Sequence, residues 1–149
     1  AQLAANPTDK LRLINFWASW CGPCVEEFPD MINVGRQFQS RGFDFISIAI
    51  DGGDDMSAAQ EWLDEFHSAT PKRTRKSLEE EGRTTQNYFY LGEVDALAEA
   101  VDPEWKGPIP HTVLITPGGE IIWRHNGEVD FVELKRAILG HLGRFYTKD

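Results

Sequence analysis

The chain is poor in the features that mark disulfide-stabilised, membrane-spanning and nucleic-acid-binding proteins. Only two of its 149 residues are cysteine, too few for a disulfide framework. No run approaches the ~20 apolar residues that a transmembrane helix needs. Residues 1–10 lack the basic start and apolar stretch of a signal peptide, although a cleaved leader would leave no such trace. Positive charge is also scarce, and a formal net charge of −9 argues against binding to a phosphate backbone.

The remaining composition is that of an ordinary globular domain. Hydrophobic residues make up 41% and charged residues 26%, and the length suits one domain with a core of its own. We therefore expect residues 1–149 to form a single domain and a monomer. Residues 68–87 are almost wholly polar, which is long for an internal loop. We assign approximately residues 68–106 to an insertion, whose polar part is expected either to be a mobile excursion or to contain a short helix near residues 76–82.

Hydrophobic periodicity predicts an α/β fold. Strands are expected at residues 10–17, 43–50, 111–116 and 120–125, and helices at residues 24–40, 56–67, 93–101 and from residue 131 onward. Pro29 lies within the first of these helices and should bend it. The first two strands must run parallel because a helix connects them, whereas the last two form an antiparallel hairpin. The prediction is a mixed sheet with helices on both faces.

Both cysteines lie in one short motif, Cys21-Gly22-Pro23-Cys24, where the first strand gives way to a helix. A helix N-terminus favours the thiolate, and a CxxC motif can lower a thiol pKa from ~8.5 toward ~7. Gly22 permits close approach of another chain, and Pro23 suits the first turn of a helix. Cys21 at the helix edge is the expected exposed nucleophile, and Cys24 is the buried resolving thiol of a mixed-disulfide exchange.

Three other interpretations of the motif are weaker. The bridge would close so short a loop that it would contribute only about 2 kcal/mol of stability, so a purely structural role is disfavoured. A zinc site needs four ligands, and the chain has four histidines but no second CxxC motif. A peroxidatic cysteine would need no partner three residues away. We expect no metal and no bound cofactor other than the redox-active disulfide.

Residues 16–24, Phe-Trp-Ala-Ser-Trp-Cys-Gly-Pro-Cys, resemble the active-site signature of the thioredoxin superfamily. Within it, Asn15 to Cys24 followed by Glu27 and Pro29 is most similar to TlpA-like thiol–disulfide oxidoreductases. The resemblance covers roughly residues 10–67 and 107–145. It implies a thioredoxin fold with the insertion placed before the cis-proline strand.

The resemblance also implies roles for particular residues. Ile109 and Pro110 match the position of the family's cis-proline, where the Ile109 backbone would pair with an extended substrate segment. Asn15 replaces the buried aspartate of thioredoxins, so proton handling for Cys24 would fall to Glu27 or to water. The alternative is that Glu27 is an exposed helix residue.

Two further residues near the motif, Trp20 and His111, are also candidates for a role at the site. Trp20, directly before the nucleophile, would offer an apolar docking surface. His111 could influence the thiols or face the core.

The expected function is reduction of disulfides in protein substrates, with an upstream thiol reductant regenerating the dithiol. By resemblance alone, the protein would act outside the cytoplasm, either periplasmic or tethered to a membrane by a segment outside this chain. The alternative is a thioredoxin-fold binding or assembly module of a longer protein with little turnover. In that case the insertion would be the recognition surface. Within the insertion, Trp105 and the aromatic residues Tyr88–Tyr90 are expected either to cover an enlarged core or to form a substrate-facing wall near the active site.

Overall fold

A computed structural model describes residues 2–51, 56–65 and 87–142. Its elements in chain order are α1 Gln2–Ala5, β1 Leu11–Trp17, α2 Gly22–Phe38, β2 Phe43–Ala49, α3 Met56–Glu65, β3 Asn87–Phe89, α4 Val94–Val101, β4 His111–Ile115, β5 Ile121–Asn126 and α5 Phe131–Leu142. The helix predicted near residues 76–82 lies outside the described residues.

The strands form one mixed sheet in the order β3-β2-β1-β4-β5. β1 pairs with β2 in parallel and with β4 in antiparallel, and β4 pairs with β5 as the predicted hairpin. Every residue of β1, β2 and β4 is buried, because these strands lie in the sheet interior with cover on both faces. The predicted α/β class with a mixed sheet is confirmed.

Two apolar cores, one on each face of the sheet, follow from the alternation of side chains along β1. Leu13 and Trp17 pack on one face against residues of α2, α3 and α5, and the Trp17 and Phe28 ring centroids lie 4.8 Å apart. Ile14 and Phe16 point to the other face, where α4 supplies the cover. Helices therefore lie on both faces, as predicted.

Pro29 lies inside α2, and the helix continues beyond it to Phe38. Proline at this position removes one backbone donor, but the tertiary packing of α2 on the sheet keeps the segment helical. The bend expected at Pro29 stays a prediction.

The described part of the expected insertion is integrated into the fold. β3, which the sequence did not reveal as a strand, pairs in parallel with the edge of β2, with Ser47 opposite Asn87. Leu97 and Val101 of α4 are buried in the second core. The segment thus supplies both a sheet strand and the helix that covers one face.

Candidate active site at the start of α2

Cys21 and Cys24 form a disulfide, with Cα atoms 5.3 Å apart. Cys24 is fully buried, and Cys21 keeps 7% of its surface exposed. Cys21 is the more accessible of the two residues, but both are buried in the disulfide form, so the exposure expected for Cys21 is not seen. The reason is that the Ile109 carbonyl oxygen and the Cys24 amide both lie against its sulfur.

The disulfide lies at the N-terminus of a helix because Cys21 is itself the N-cap of α2. Its sulfur accepts a hydrogen bond from the Cys24 backbone N–H at 3.3 Å, and Pro23 occupies the first turn, where a missing N–H costs nothing. The positive end of the helix dipole lies beside the sulfur. A cysteine at the N-terminus of a helix is in an environment that favours the thiolate over the thiol once the bridge is reduced.

The residues next to the cysteines in the motif, Trp20, Gly22 and Pro23, lie on the protein surface. Trp20 is 64% exposed although it is a large aromatic side chain. Gly22 and Pro23 are also exposed, and a side chain built at Gly22 would meet nothing within 4 Å. These three exposed residues flank Cys21 in the chain.

The segment before β4 lies directly against the disulfide. The Ile109–Pro110 peptide bond is cis, and the Ile109 carbonyl oxygen lies 3.9 Å from the Cys21 sulfur. The Pro110 carbonyl accepts a hydrogen bond from the Gly127 N–H at 2.8 Å, which ties this segment to the end of β5. Residues 88 positions apart in the chain therefore meet at the reactive sulfur.

Glu27 is buried beneath the motif, one helical turn after Cys24. It is 6% exposed, and its carboxylate accepts hydrogen bonds from the Val129 N–H at 2.9 Å and the Asn15 side chain at 3.5 Å. Burial raises the pKa of Glu27 from 4.5 to about 7, although both hydrogen bonds oppose the shift. The structure thus places Glu27 in the protein interior rather than on an exposed helix face.

His111 faces the second core rather than the disulfide. Its ring is stacked on Trp105 with centroids 5.2 Å apart, and its nitrogens contact Asp102 at 2.8 Å and Asn126 at 2.6 Å. Arg124 also binds the Asp102 carboxylate, through two hydrogen bonds of 2.9 and 3.0 Å. Trp105 is 2% exposed and belongs to the same core, so it covers the sheet.

Sequence reasoning missed this cluster of Asp102, Arg124 and Asn126, and it also missed Asp51 next to the cysteine motif. The sequence could have indicated Asp51, because this residue directly follows the strand predicted at residues 43–50, which runs parallel to β1. The carboxyl ends of parallel neighbours meet at one edge of the sheet. The Asp102 cluster joins separate elements across the fold, and no local pattern marks such contacts.

The described residues contain no group of three or more His, Cys, Asp and Glu side chains placed to hold a metal ion. In the part of the chain that the structure covers, no helix combines the length and apolarity needed to cross a bilayer.

A scan of protein-family models matches residues 2–138 to the family described as Redoxin. The chain belongs to the Redoxin family. The matched region contains the cysteine motif, the segment before β4 and most of α5. The family match therefore extends over most of the chain and is not limited to the motif.

Curated relatives of this Redoxin chain include two proteins named thiol-disulfide oxidoreductase ResA. The protein from Oceanobacillus iheyensis is 28% identical over 73% of this chain and 45% of its own length. The protein from Bacillus subtilis is 25% identical over 73% of this chain and 49% of its own length. The chain thus spans about half the length of these relatives.

Solved structures show the same fold. A thiol:disulfide interchange protein of the thioredoxin family from Chlorobium tepidum superposes with a TM-score of 0.65 at 22% identity, covering 94% of this chain and 85% of the other. StoA from Bacillus subtilis superposes with a TM-score of 0.57 at 16% identity, covering 88% and 84%. These likenesses confirm the predicted thioredoxin fold.

Proposed function

We propose that this chain is a thiol–disulfide oxidoreductase that reduces disulfides in protein substrates. The observation that carries the proposal is the Cys21–Cys24 disulfide at the N-terminus of α2, with the Cys21 sulfur 3.9 Å from the Ile109 carbonyl oxygen. Membership of the Redoxin family and the names of the curated relatives support the same reaction class. The protein needs no bound cofactor, because the two sulfurs carry both electrons.

The reaction proceeds through a mixed disulfide. The Cys21 thiolate attacks one sulfur of a substrate disulfide, the substrate S–S bond breaks, and the other substrate sulfur leaves as a thiolate and takes a proton. Cys24, as the thiolate, then attacks the Cys21 sulfur and releases the second substrate thiol. The substrate gains two electrons and two protons, and Cys21 and Cys24 end as a disulfide.

Substrate binding uses the surface beside Cys21. The Ile109 backbone, held next to the sulfur by the Pro110 segment, pairs with an extended stretch of the substrate. Trp20 contributes an apolar contact, and the exposed Gly22 and Pro23 leave room for the approaching chain.

Glu27 accepts the proton that Cys24 loses before it attacks the mixed disulfide. Its pKa of about 7 suits a proton acceptor near neutral pH. A helical separation of three residues places Glu27 on the same side of α2 as Cys24. Asn15 cannot ionise, so its hydrogen bond orients the Glu27 carboxylate without competing for the proton.

The proposed direction is reduction of the substrate. A Gly-Pro spacer resembles that of the reducing members of the superfamily, so we expect a potential nearer to about −270 mV than to about −120 mV, the values for thioredoxin and for a strong oxidant. A separate thiol protein recharges the dithiol. By family resemblance we place this exchange outside the cytoplasm. We also propose that the protein acts as a monomer.

The direct test is turnover of insulin with dithiothreitol as the reductant. The wild-type chain should accelerate reduction, and Cys21→Ser should abolish the acceleration. Cys24→Ser, reduced beforehand and freed of dithiothreitol, should instead trap a covalent mixed disulfide with insulin, detectable by mass spectrometry, because the resolving thiol is missing.

Insulin reduction that does not depend on Cys21 would overturn the proposal. So would stable insulin binding without turnover, because that is the behaviour expected of a binding module. A measured potential close to that of a strong oxidant would reverse the assigned direction.

A further inference from the structure

The turn that leads from β1 into the cysteine motif is held by a carboxylate from the neighbouring strand. Asp51, two residues beyond the end of β2, accepts hydrogen bonds from the Ser19 backbone N–H at 3.1 and 3.0 Å, one to each carboxylate oxygen. The Ser19 hydroxyl is a second donor to the same carboxylate. A charged acceptor that binds both the backbone and the side chain of Ser19 holds the turn more firmly than a neutral one.

The position of Asp51 follows from the parallel pairing of β1 and β2. The Ile50 N–H donates to the Trp17 carbonyl at 2.8 Å, so the strand pairing continues up to the residue before Asp51. The next residues on the β1 side are those of the turn. Asp51 therefore reaches Ser19 because the two strands end at the same edge of the sheet.

The turn held in this way carries the two features on which substrate capture depends. The Cys21 N–H donates to the Ala18 carbonyl at 3.1 Å and closes the turn. Trp20 lies inside it, and its indole points to solvent with 64% exposure. A large aromatic side chain that stays fixed and exposed binds a partner at a lower entropy cost than a mobile one.

We propose that Asp51 is a positioning residue that, through Ser19, fixes the Trp20 indole beside Cys21 as a docking surface for protein substrates. This inference rests on the proposed function and deepens it, because it separates capture of a protein from chemistry at the sulfur. A small disulfide has no surface to dock on Trp20 and needs only Cys21. Loss of Asp51 should therefore affect protein substrates and spare small ones.

The test compares Asp51→Ala and Ser19→Ala with the wild type on two substrates, insulin and hydroxyethyl disulfide. The control is Asp64→Asn, which changes an exposed carboxylate on α3 that accepts a hydrogen bond from Gln60. Asp51→Ala should raise the KM for insulin about tenfold, the size expected from losing hydrogen bonds to a charged group. The kcat for insulin and the rate with hydroxyethyl disulfide should change less than about twofold.

Ser19→Ala removes only the hydroxyl donor, so its KM for insulin should rise less than that of Asp51→Ala. Asp64→Asn should match the wild type on both substrates. Equal losses on the two substrates would overturn the inference, because they would indicate damage to the sulfur chemistry. An unchanged KM for insulin in Asp51→Ala would also overturn it.

A second measurement does not depend on turnover. Exchange of the Ser19 backbone amide with solvent, followed by NMR, should be roughly tenfold faster in Asp51→Ala and unchanged in Asp64→Asn, because only the former loses the acceptor. Unchanged exchange in Asp51→Ala would show that the carboxylate does not hold the turn. A wild type that fails to reduce insulin would instead refute the proposed function, and the docking role with it.

Discussion

The chemical properties of individual residues in this site depend on whether the fold buries their side chains. Glu26 and Glu27 are neighbours of the same chemical type on α2, yet only Glu27 is buried against the sheet. The cause is helical geometry, which turns adjacent positions to different faces. Sequence alone placed Glu27 near Cys24 but left its exposure open, because no local pattern fixes which glutamate points inward.

The raised pKa of Glu27 gives the folded protein a measurable pH dependence. Burial raises the pKa from 4.5 to about 7, so between these values the folded state binds a proton that the unfolded state does not. The contribution to stability is therefore fully present below pH 4.5 and is lost as the pH rises through about 7. Relative to Glu27→Gln, the wild type should lose about 3 kcal/mol of unfolding free energy over this range.

Urea unfolding of both proteins at a series of pH values checks this prediction. Glu26→Gln is the matched control and should follow the wild type at every pH, because Glu26 is exposed on the same helix. A constant difference between the wild type and Glu27→Gln across the pH range would contradict the assigned pKa.

At the scale of elements, the fold depends on how closely α2 approaches the sheet. A Cβ atom at Gly35 of α2 would lie 3.0 Å from the Phe45 Cβ of β2, whereas one at Gly140 of α5 would meet nothing within 4 Å. Both glycines lie within helices, where alanine is intrinsically more favourable. The two positions therefore separate helix propensity from packing.

Gly140→Ala should stabilise the protein by up to about 1 kcal/mol through helix propensity. Gly35→Ala should be less favourable than Gly140→Ala by about 1–3 kcal/mol, because the new methyl group must displace the β-carbon of a buried strand residue. Thermal and urea unfolding of the two variants measure the difference. Equal stabilisation in both would show that α2 can move away from β2 at little cost.

The polar cluster around Asp102, at the start of β4, also links separate elements of the fold. Asp102 is fully buried and joins α4 to β4 through His111 and to β5 through Arg124. Burial alone would raise the pKa of Asp102, but the hydrogen bonds from Arg124 and His111 outweigh it and hold the pKa below 3.8. Its stabilisation is therefore present above pH 3.8 and is lost as the pH falls through the lowered pKa.

Asp102→Asn should destabilise the protein by about 3 kcal/mol at neutral pH, because it removes the buried charge that binds both the buried His111 and the partly exposed Arg124. Glu104→Gln is the matched control, since Glu104 contacts the same Arg124 at 3.5 Å but its side chain is 75% exposed. That variant should change stability by less than about 1 kcal/mol, as for other surface ion pairs. Comparable losses in the two variants would show that burial of Asp102 contributes nothing.

For the whole molecule, the sequence predicted what depends on neighbouring residues and missed what depends on distant ones. The β1–α2 junction and the hairpin of β4 and β5 follow from local periodicity and turn residues, and the structure has them. β3 was not predicted because the pattern of a three-residue strand is too short to detect, and the strand forms only by pairing with β2. The Asp102 cluster was not predicted because its members come from separate elements.

The redox state of the disulfide should change the stability of the entire domain. For a reductant, the oxidised form is the more stable one, and closing this short loop contributes about 2 kcal/mol in the chain-entropy model. Urea unfolding of the oxidised and dithiothreitol-reduced protein should differ by about that amount. A more stable reduced form would indicate an oxidant, and a Cys21→Ser, Cys24→Ser double variant should not respond to dithiothreitol.

The central position of β1 has a consequence for biosynthesis. β1 pairs with β2 through nearby residues, but its other neighbour is β4, where Asn15 binds Thr112 across a separation of 97 residues. During translation both thiols leave the ribosome long before Ile109 and β4 have been made. The thiols of the nascent chain are therefore exposed for a time without Ile109 and β4, which later cover them. The reactive centre is complete only when the second half of the chain has packed against β1.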